Sequence, residues 1–174
     1  VSINNSMKQN EPKNIKSFLK PRAGQIRQGY FRPTNPAKYV GDPTQIIFRS
    51  SWEFKFLKWC DHSPTVLKYS SEPVGIPYYS PLDQRGHVYY VDFYLVTKDN
   101  DGNEQSWLIE IKPDKYTKPP TAPTRMTDKQ TANYVYAAKQ YIVNQAKFEA
   151  AKEFAAVRGL KFGIITENFL FKSI

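Results

Sequence analysis

The segment from residue 88 to residue 112 constrains the fold most, because local signals in it encode a β-hairpin. Residues 88–97 are rich in Val, Tyr and Phe, the side chains that favour strands. The turn-forming sequence Asp-Asn-Asp-Gly-Asn follows at 99–103, and a second strand-like run at 106–112 stops at Pro113. The chain should therefore contain an antiparallel strand pair on which the other elements pack.

The remaining sequence alternates between helical and strand-like segments. The cap-like pair Asp42-Pro43 predicts a helix that begins there and runs to about Cys60. Helical spacing and a glycine stop at Gly159 predict a long second helix over residues 129–158. Further strands are predicted at 66–69, 74–79 and 160–166, and a proline-rich loop at 113–127. This order of elements predicts a small α/β domain.

Positive charge is concentrated at the start of the chain. The formal net charge is +9, and residues 1–50 hold nine basic residues against two acidic ones. We interpret residues 1–40 as a basic, proline-containing arm and residues 41–174 as the folded domain. This asymmetry favours a nucleic-acid partner, while a solubilising tail or a contact for an acidic protein are the alternatives. The candidate DNA contacts are Arg32, Lys38, Arg49 and Lys147.

Composition argues against several functional classes. No apolar run approaches the ~18 residues of a membrane-spanning helix, and the first residues lack the pattern of a secretion signal, so neither a membrane role nor secretion is expected. Cys60 is the single cysteine, which excludes an internal disulfide and a cysteine-rich zinc site. With only His62 and His87, a histidine-rich metal centre is not expected either.

Three charged side chains interrupt the two hairpin strands. Because side chains alternate faces along a strand, Asp92 is predicted on the same face as Tyr90 and Tyr94. Glu110 and Lys112 share a face of the second strand. Charges among apolar neighbours are costly unless they are paired or bind metal. If the two faces meet, the carboxylates suit Mg²⁺ or Mn²⁺, and the lysine could act on a water or a phosphate. A plain cross-strand ion pair is the alternative.

The two acids and the lysine resemble the bipartite motif of the P-D-(D/E)-x-K nuclease superfamily. Eighteen positions separate Asp92 from Glu110, as in that pattern, and Val91 stands where the motif name has proline. An upstream S-x-x-E segment resembles the one that supplies some of these nucleases with a further metal-site acid. The end of the chain resembles the helix-then-strand close of TnsA-like transposon-end nucleases. The segments are Ser50-Ser51-Trp52-Glu53, Asp92-Phe93, Glu110-Ile111-Lys112-Pro113, and the run from Lys147-Phe148-Glu149 to Thr166-Glu167.

A longer series of motifs resembles the head-completion protein family of T-even-type phages over roughly residues 27–170. Besides the two motifs around Asp92 and Glu110, they are Tyr39-Val40-Gly41-Asp42-Pro43, Ile47-Phe48-Arg49-Ser50-Ser51-Trp52-Glu53-Phe54, Ser71-Glu72-Pro73-Val74-Gly75-Ile76-Pro77-Tyr78 and Asn144-Gln145-Ala146-Lys147-Phe148.

These resemblances imply a restriction-endonuclease-like core, with a central mixed sheet flanked by helices, and a Mg²⁺- or Mn²⁺-dependent endonuclease. Asp92, Glu110 and Glu53 would hold the metal together with the Ile111 backbone carbonyl, and Lys112 would act on the water or the transition state. Gln145 is a further candidate for the site. The implied role is completion of the DNA-filled phage head in the host cytoplasm, with virion association and portal or neck partners left open.

Two rival functions remain. The chain could be a non-catalytic neck or head-completion protein that binds DNA on a nuclease fold. It could also be a transposon-end or junction-cleaving nuclease that shares the core. The intact set of Asp92, Glu110 and Lys112 disfavours the first rival, because a retired site would tend to lose such costly charges.

Residues 1–40 are predicted to add non-specific DNA affinity, because they carry most of the net charge. Each phosphate that a protein neutralises contributes about 0.9 to the log–log slope of affinity against salt. Deleting the arm should therefore flatten this slope in a DNA-binding titration at several salt concentrations. Equal slopes for the full-length and truncated chains would assign the arm to another partner.

Overall fold

The computed structural model describes residues 28–125 and 127–172. The sequence of the basic arm also indicates a short helical turn around residues 15–19, and this segment lies outside the described residues. In chain order the elements are β1 (Gly29–Phe31), β2 (Ile46–Phe48), α1 (Ser51–His62), β3 (Val66–Ser71), β4 (Gly75–Ser80), β5 (Arg85–Tyr90), β6 (Phe93–Lys98), β7 (Glu104–Ile111), α2 (Asp128–Val157), β8 (Lys161–Ile165) and α3 (Glu167–Leu170), with 3-10 turns at Pro36–Lys38 and Asp114–Tyr116.

A four-stranded mixed sheet forms the centre of the molecule, with the order β3-β6-β7-β8. The predicted hairpin is its middle: β6 and β7 pair antiparallel through the predicted turn, and β8 then joins β7 in parallel. Two small antiparallel pairs, β1-β2 and β4-β5, complete the strands. In the part of the chain that the structure describes, no helix has the length and apolarity needed to cross a membrane.

The two faces of the central sheet bury different helices. Phe93 and Ile109 face α1, where they pack with its buried residue Phe56. Leu108, the residue before Ile109 on β7, faces the other way and packs with Ala151 of α2. The α/β core, a mixed sheet flanked by helices, is thus confirmed. It arises because period-2 alternation gives each strand one side chain for each helix layer.

Both ends of α2 follow the sequence signals closely. At its start, Thr127 and Gln130 form a reciprocal capping box, which satisfies backbone donors at the N-terminus. At its end, Gly159 has φ +68°, and the Leu160 N–H donates to the Ala155 carbonyl in a Schellman arrangement. The long second helix is therefore confirmed, within one residue at each end.

The predicted start of the first helix is wrong. Asp42 does not cap a helix, because its Oδ1 accepts bonds from the Thr44 N–H and hydroxyl in a tight turn. Ile46–Phe48 then runs extended and pairs with β1, so α1 begins only after Ser50, whose side chain accepts from the Glu53 N–H. Strand pairing with residues 29–31 thus outweighed the local cap signal.

The single long strand predicted over residues 88–97 is also wrong. It is two strands in two sheets: β5 pairs with β4, while β6 pairs with β3 and β7. The break falls at Asp92, whose backbone carbonyl accepts a hydrogen bond from the Glu72 N–H at 2.8 Å. Asp92 is therefore the corner between two sheets and not a mid-strand residue.

Residues 28–40 pack on the domain through one buried carboxylate. The carboxylate of Asp61, at the end of α1, accepts hydrogen bonds from the Thr34 N–H at 2.7 Å, the Asn35 N–H at 3.0 Å and the Tyr69 hydroxyl at 3.2 Å. Phe31 is buried in the core beside α1. A test of arm function should therefore remove residues 1–27 only, which still carry six of the nine basic residues found in residues 1–50.

Asp61→Asn should lower the free energy of unfolding by about 1–3 kcal/mol, because an amide nitrogen cannot accept the bonds that one carboxylate oxygen accepts, so the donors to that oxygen lose their buried acceptor. Urea denaturation followed by tryptophan fluorescence measures this loss. Asp101→Asn, at an exposed position of the β6–β7 turn, is the control. Equal stability of the two variants would show that Asp61 does not hold residues 28–40 in place.

Candidate active site

A cavity of about 620 Å³ opens where the N-terminus of α1, the corner at Asp92, the end of β7 and the first half of α2 meet. Four of the five residues predicted to hold the metal or to supply the lysine line this cavity, and Glu110 is the exception. The lining residues are Ser50, Ser51, Trp52, Glu53, Asp92, Ile111, Lys112, Pro113, Tyr116, Tyr136, Gln140 and Asn144. Glu110 is 5% exposed and stands behind this lining.

The two acids of the hairpin converge as predicted. Because Phe93 pairs with Ile109, the preceding residue Asp92 comes opposite Glu110. The Ile111 N–H donates to Asp92 Oδ2 at 2.6 Å, which fixes the carboxylate at the end of β7. Burial raises the pKa of Asp92 well above its ordinary value, and the negative charge of Glu110 raises it further, while the bond from Ile111 acts in the opposite direction.

Lys112 lies beside the second acid. Its Nζ is 2.9 Å from Glu110 Oε1, which is an ion pair between near neighbours at the end of β7 and not the cross-strand pair that we considered as the alternative to catalysis. The pair leaves one oxygen unused, however. Glu110 Oε2 is buried and has no hydrogen-bond partner among the described residues. A buried carboxylate oxygen without a partner is expensive, and such an atom indicates a missing ligand.

Glu53 faces the same cavity but is held at the start of α1. Its Oε1 accepts from the Ser50 hydroxyl at 2.9 Å and its Oε2 from the Arg49 N–H at 2.8 Å. Within residues 28–125 and 127–172, no three His, Cys, Asp or Glu side chains stand close enough to hold one ion. The S-x-x-E segment therefore acts as a helix cap here, and a ligand role for Glu53 stays a prediction.

Helix α2 supplies polar side chains that the predicted set of site residues did not include. Tyr136, Gln140 and Asn144 line the cavity at four-residue spacing, and Asn144 is buried. Gln145 is not among the lining residues, because one residue along a helix turns the side chain by about 100°. The spacing of Gln140 and Asn144 on a long predicted helix was the signal that could have identified them.

Lys147 is the candidate DNA contact on α2. Its Nζ lies 5.5 Å from the Tyr78 ring centre and 5.7 Å from that of Tyr89. Burial lowers the pKa of Lys147, and the charge of Lys112 lowers it further. The negative charges of Glu110 and Asp92 raise the pKa of Lys147 and so act in the opposite direction.

The other three candidate DNA contacts differ in availability. Arg32 is exposed. Arg49 is exposed too, and its guanidinium holds the Glu72 carboxylate through two bonds of 2.8 and 3.1 Å. The Lys38 ammonium donates to the Asp61 and Ser63 carbonyls at 3.0 and 2.7 Å. Lys38 therefore closes the C-terminus of α1, and a phosphate contact would have to compete with these two bonds.

Comparison with known proteins gives two consistent matches. The TnsA-like endonuclease N-terminal family matches over residues 63–167, which include both acids and the lysine. The head completion nuclease of Enterobacteria phage T4 is 37% identical over 142 residues, which cover 82% of this chain and 92% of that protein. No solved structure matches the chain significantly.

Asp92→Asn should stabilise the metal-free protein at neutral pH. Since the pKa of Asp92 is raised in the folded state, the unfolded chain ionises first as pH rises, and stability is lost above the ordinary pKa near 3.8. Asparagine cannot ionise but can still accept the bond from Ile111. In EDTA, urea denaturation should show the variant to be more stable at pH 7, with the difference vanishing toward pH 4. A variant less stable than wild type at pH 7 would contradict this reasoning, and Asp101→Asn is again the control.

Proposed function

The chain belongs to the TnsA-like endonuclease family, and from that premise we propose that it is a metal-dependent endonuclease that hydrolyses phosphodiester bonds in DNA. The observation that carries the proposal is the meeting of Asp92, Glu110 and Lys112 at one cavity. Two acids that can hold a metal and a lysine that can neutralise charge suit phosphoryl transfer. This reaction depends on positioning and charge stabilisation more than on a protein nucleophile.

The phage setting comes from the relative. The T4 protein is named a head completion nuclease, and its alignment with this chain spans nearly its whole length. We infer a corresponding role here, in the host cell during infection, with the ends of packaged DNA as substrate. Portal or neck proteins of the phage head are the partners that this role would bring close.

The residues at the site fit a hard divalent cation. Asp92 and Glu110 offer carboxylate oxygens, and Glu110 Oε2, which has no partner in the described part of the chain, is an atom that a cation would satisfy. Mg²⁺ or Mn²⁺ would be held by these two acids, with the Ile111 carbonyl and Glu53 as the further ligands that the family pattern implies. Such an ion supplies a polarised phosphate oxygen and a water of lowered pKa.

The remaining groups would position the DNA and the water. Lys112, fixed by Glu110 at 2.9 Å, can orient the attacking water or neutralise charge on the phosphate. Arg32, Arg49 and Lys147 are the basic side chains that we propose for contacts to the backbone phosphates. Arg49 would have to exchange its bonds to Glu72 for such a contact.

The non-catalytic rival requires the same fold without the chemistry. The raised pKa of Asp92 and the partnerless oxygen of Glu110 argue against it, because both features reduce stability and neither helps to bind DNA. A transposon-end or junction-cleaving nuclease would use the same site residues. The DNA substrate that the protein cleaves therefore distinguishes this activity from the phage role, and the structure does not.

Lys112→Met tests the proposal. Wild type should cleave plasmid DNA in Mg²⁺ or Mn²⁺ and be inactive in EDTA. The variant should cleave at least about 10²-fold more slowly, because methionine keeps the volume of the lysine stem but removes its charge. DNA binding, measured by fluorescence anisotropy in EDTA, should persist.

The melting temperature of the same preparations separates catalysis from folding. If Lys112 served only to neutralise Glu110, its loss would leave a buried charge uncompensated and cost as much as ~3–5 kcal/mol. A variant that melts far below wild type, yet cleaves normally in the cold, would make Lys112 a structural residue. Metal-independent cleavage by wild type would remove the metal from the proposal.

A further inference from the structure

The cavity at the site is larger than the metal chemistry needs. Its volume is about 620 Å³, whereas a bound water takes up about 30 Å³. Pockets of about 300–1,000 Å³ hold a whole small molecule in other proteins. Five of the twelve lining residues come from one segment, residues 113–144, which follows Lys112 and contributes no acid and no lysine to the lining. The cavity therefore has room for a part of the substrate beyond the scissile phosphate.

Two tyrosine rings belong to this additional wall. Tyr136, on α2, is 63% exposed, and it forms no hydrogen bond and no ring contact within residues 28–125 and 127–172. Tyr116 is half-buried, and the Lys115 ammonium stands 4.7 Å from its ring centre. Flat aromatic rings at the mouth of a cavity can stack on a nucleobase, an interaction that accepts every base because each has a π-face.

Two side-chain amides follow Tyr136 along the same side of α2. Gln140 and Asn144 lie one and two turns further, at steps of about 6 Å. Asn144 is only 6% exposed, yet its amide forms no hydrogen bond with any residue that the structure describes. A buried amide without a partner is costly, so this group indicates a ligand that enters the cavity. An amide both donates and accepts, which suits the edge of a nucleobase.

The charge of this wall favours an anionic occupant. Residues 113–143 contain five basic residues against two acidic ones. Rings for stacking, set in positively charged surroundings, are typical of sites for single-stranded nucleic acid. Neighbouring base pairs cover the faces of a base inside a duplex, so only an unpaired or extruded base can stack on a protein ring. A protein segment bound here would instead cover Asp92 and Lys112, which line the same cavity.

We propose that the cavity binds an unpaired nucleotide beside the scissile phosphate, with its base stacked on Tyr136 and hydrogen-bonded by Gln140 and Asn144. The inference rests on the proposed nuclease function and names the substrate class of that site. The substrate is DNA that is single-stranded or frayed at the point of cleavage, and a continuous duplex must open before it is cut. Stacking accepts every base, so no sequence preference follows from it.

The first experiment compares forms of DNA that share one sequence. End-labelled single strand, blunt duplex and duplex with an unpaired tail are digested in Mn²⁺, and gel electrophoresis gives the rate at each bond. Wild type should cut the single strand and the tail at least about 10-fold faster than the paired region, because opening a duplex requires free energy.

The second experiment removes one base. In a single strand with one abasic nucleotide, wild type should cut a bond next to that nucleotide about 10–100-fold more slowly than the same bond in the intact strand. Distant bonds should be unaffected. Tyr136→Ala should slow all bonds of the intact strand by a similar factor, and the abasic nucleotide should then add little. Its melting temperature should not fall, because alanine favours a helix.

Two further variants serve as controls. Tyr136→Phe keeps the ring and should match wild type on every substrate. Tyr79→Ala removes a tyrosine of nearly equal exposure, 62%, which lies on β4 and is not among the residues that line the cavity. This variant should also match wild type. All rates are measured below the lowest melting temperature in the set.

Equal rates on the single strand and the duplex would overturn the proposal, and so would normal cutting next to the abasic nucleotide. Tyr136→Ala with the full abasic effect would show that its ring is not the stacking surface, which overturns the proposal too. In each of these cases the nuclease itself stands. If wild type cuts no form of DNA in Mg²⁺ or Mn²⁺, the proposed function fails.

Discussion

The hydrogen bond from the Ile111 N–H to Asp92 is the contact on which the site depends. It joins the corner before β6 to the end of β7 at 2.6 Å, at the point where antiparallel pairing brings Asp92 opposite Glu110. Two carboxylates that are buried close together would normally move apart or bind a proton, because their negative charges repel each other. The sheet prevents their separation, so the raised pKa of Asp92 is the electrostatic consequence of a geometry that the backbone imposes.

The corner at Asp92 also organises the fold around it. Here the chain leaves the β4–β5 pair and enters the central sheet, with the Asp92 carbonyl bound to the Glu72 N–H. One face of that sheet buries α1 and the other buries α2. Each helix therefore reaches the cavity from its own layer: α1 with Glu53 at its N-terminus, and α2 with Asn144.

The basic side chains of the described residues have different structural roles, which their positions in the sequence do not indicate. Lys38 closes the end of α1, Arg49 pairs with Glu72, and Lys112 pairs with Glu110. Lys147 instead lies over the rings of Tyr78 and Tyr89. Most of these basic residues therefore already have a partner within the fold, which net charge does not reveal.

The sequence by itself determined the hairpin and the long helix α2, and it predicted that Asp92 and Glu110 come together on the hairpin. Each of these depends on signals within a few residues: strand alternation, the turn before β7, the Thr127 cap and the Gly159 stop. Only the tertiary structure decided that Asp42 forms a turn, that the strand breaks at Asp92, that Glu53 caps α1, and that Asn144 rather than Gln145 lines the cavity. In those cases two local outcomes were close in free energy, and pairing or packing with residues distant in sequence selected between them.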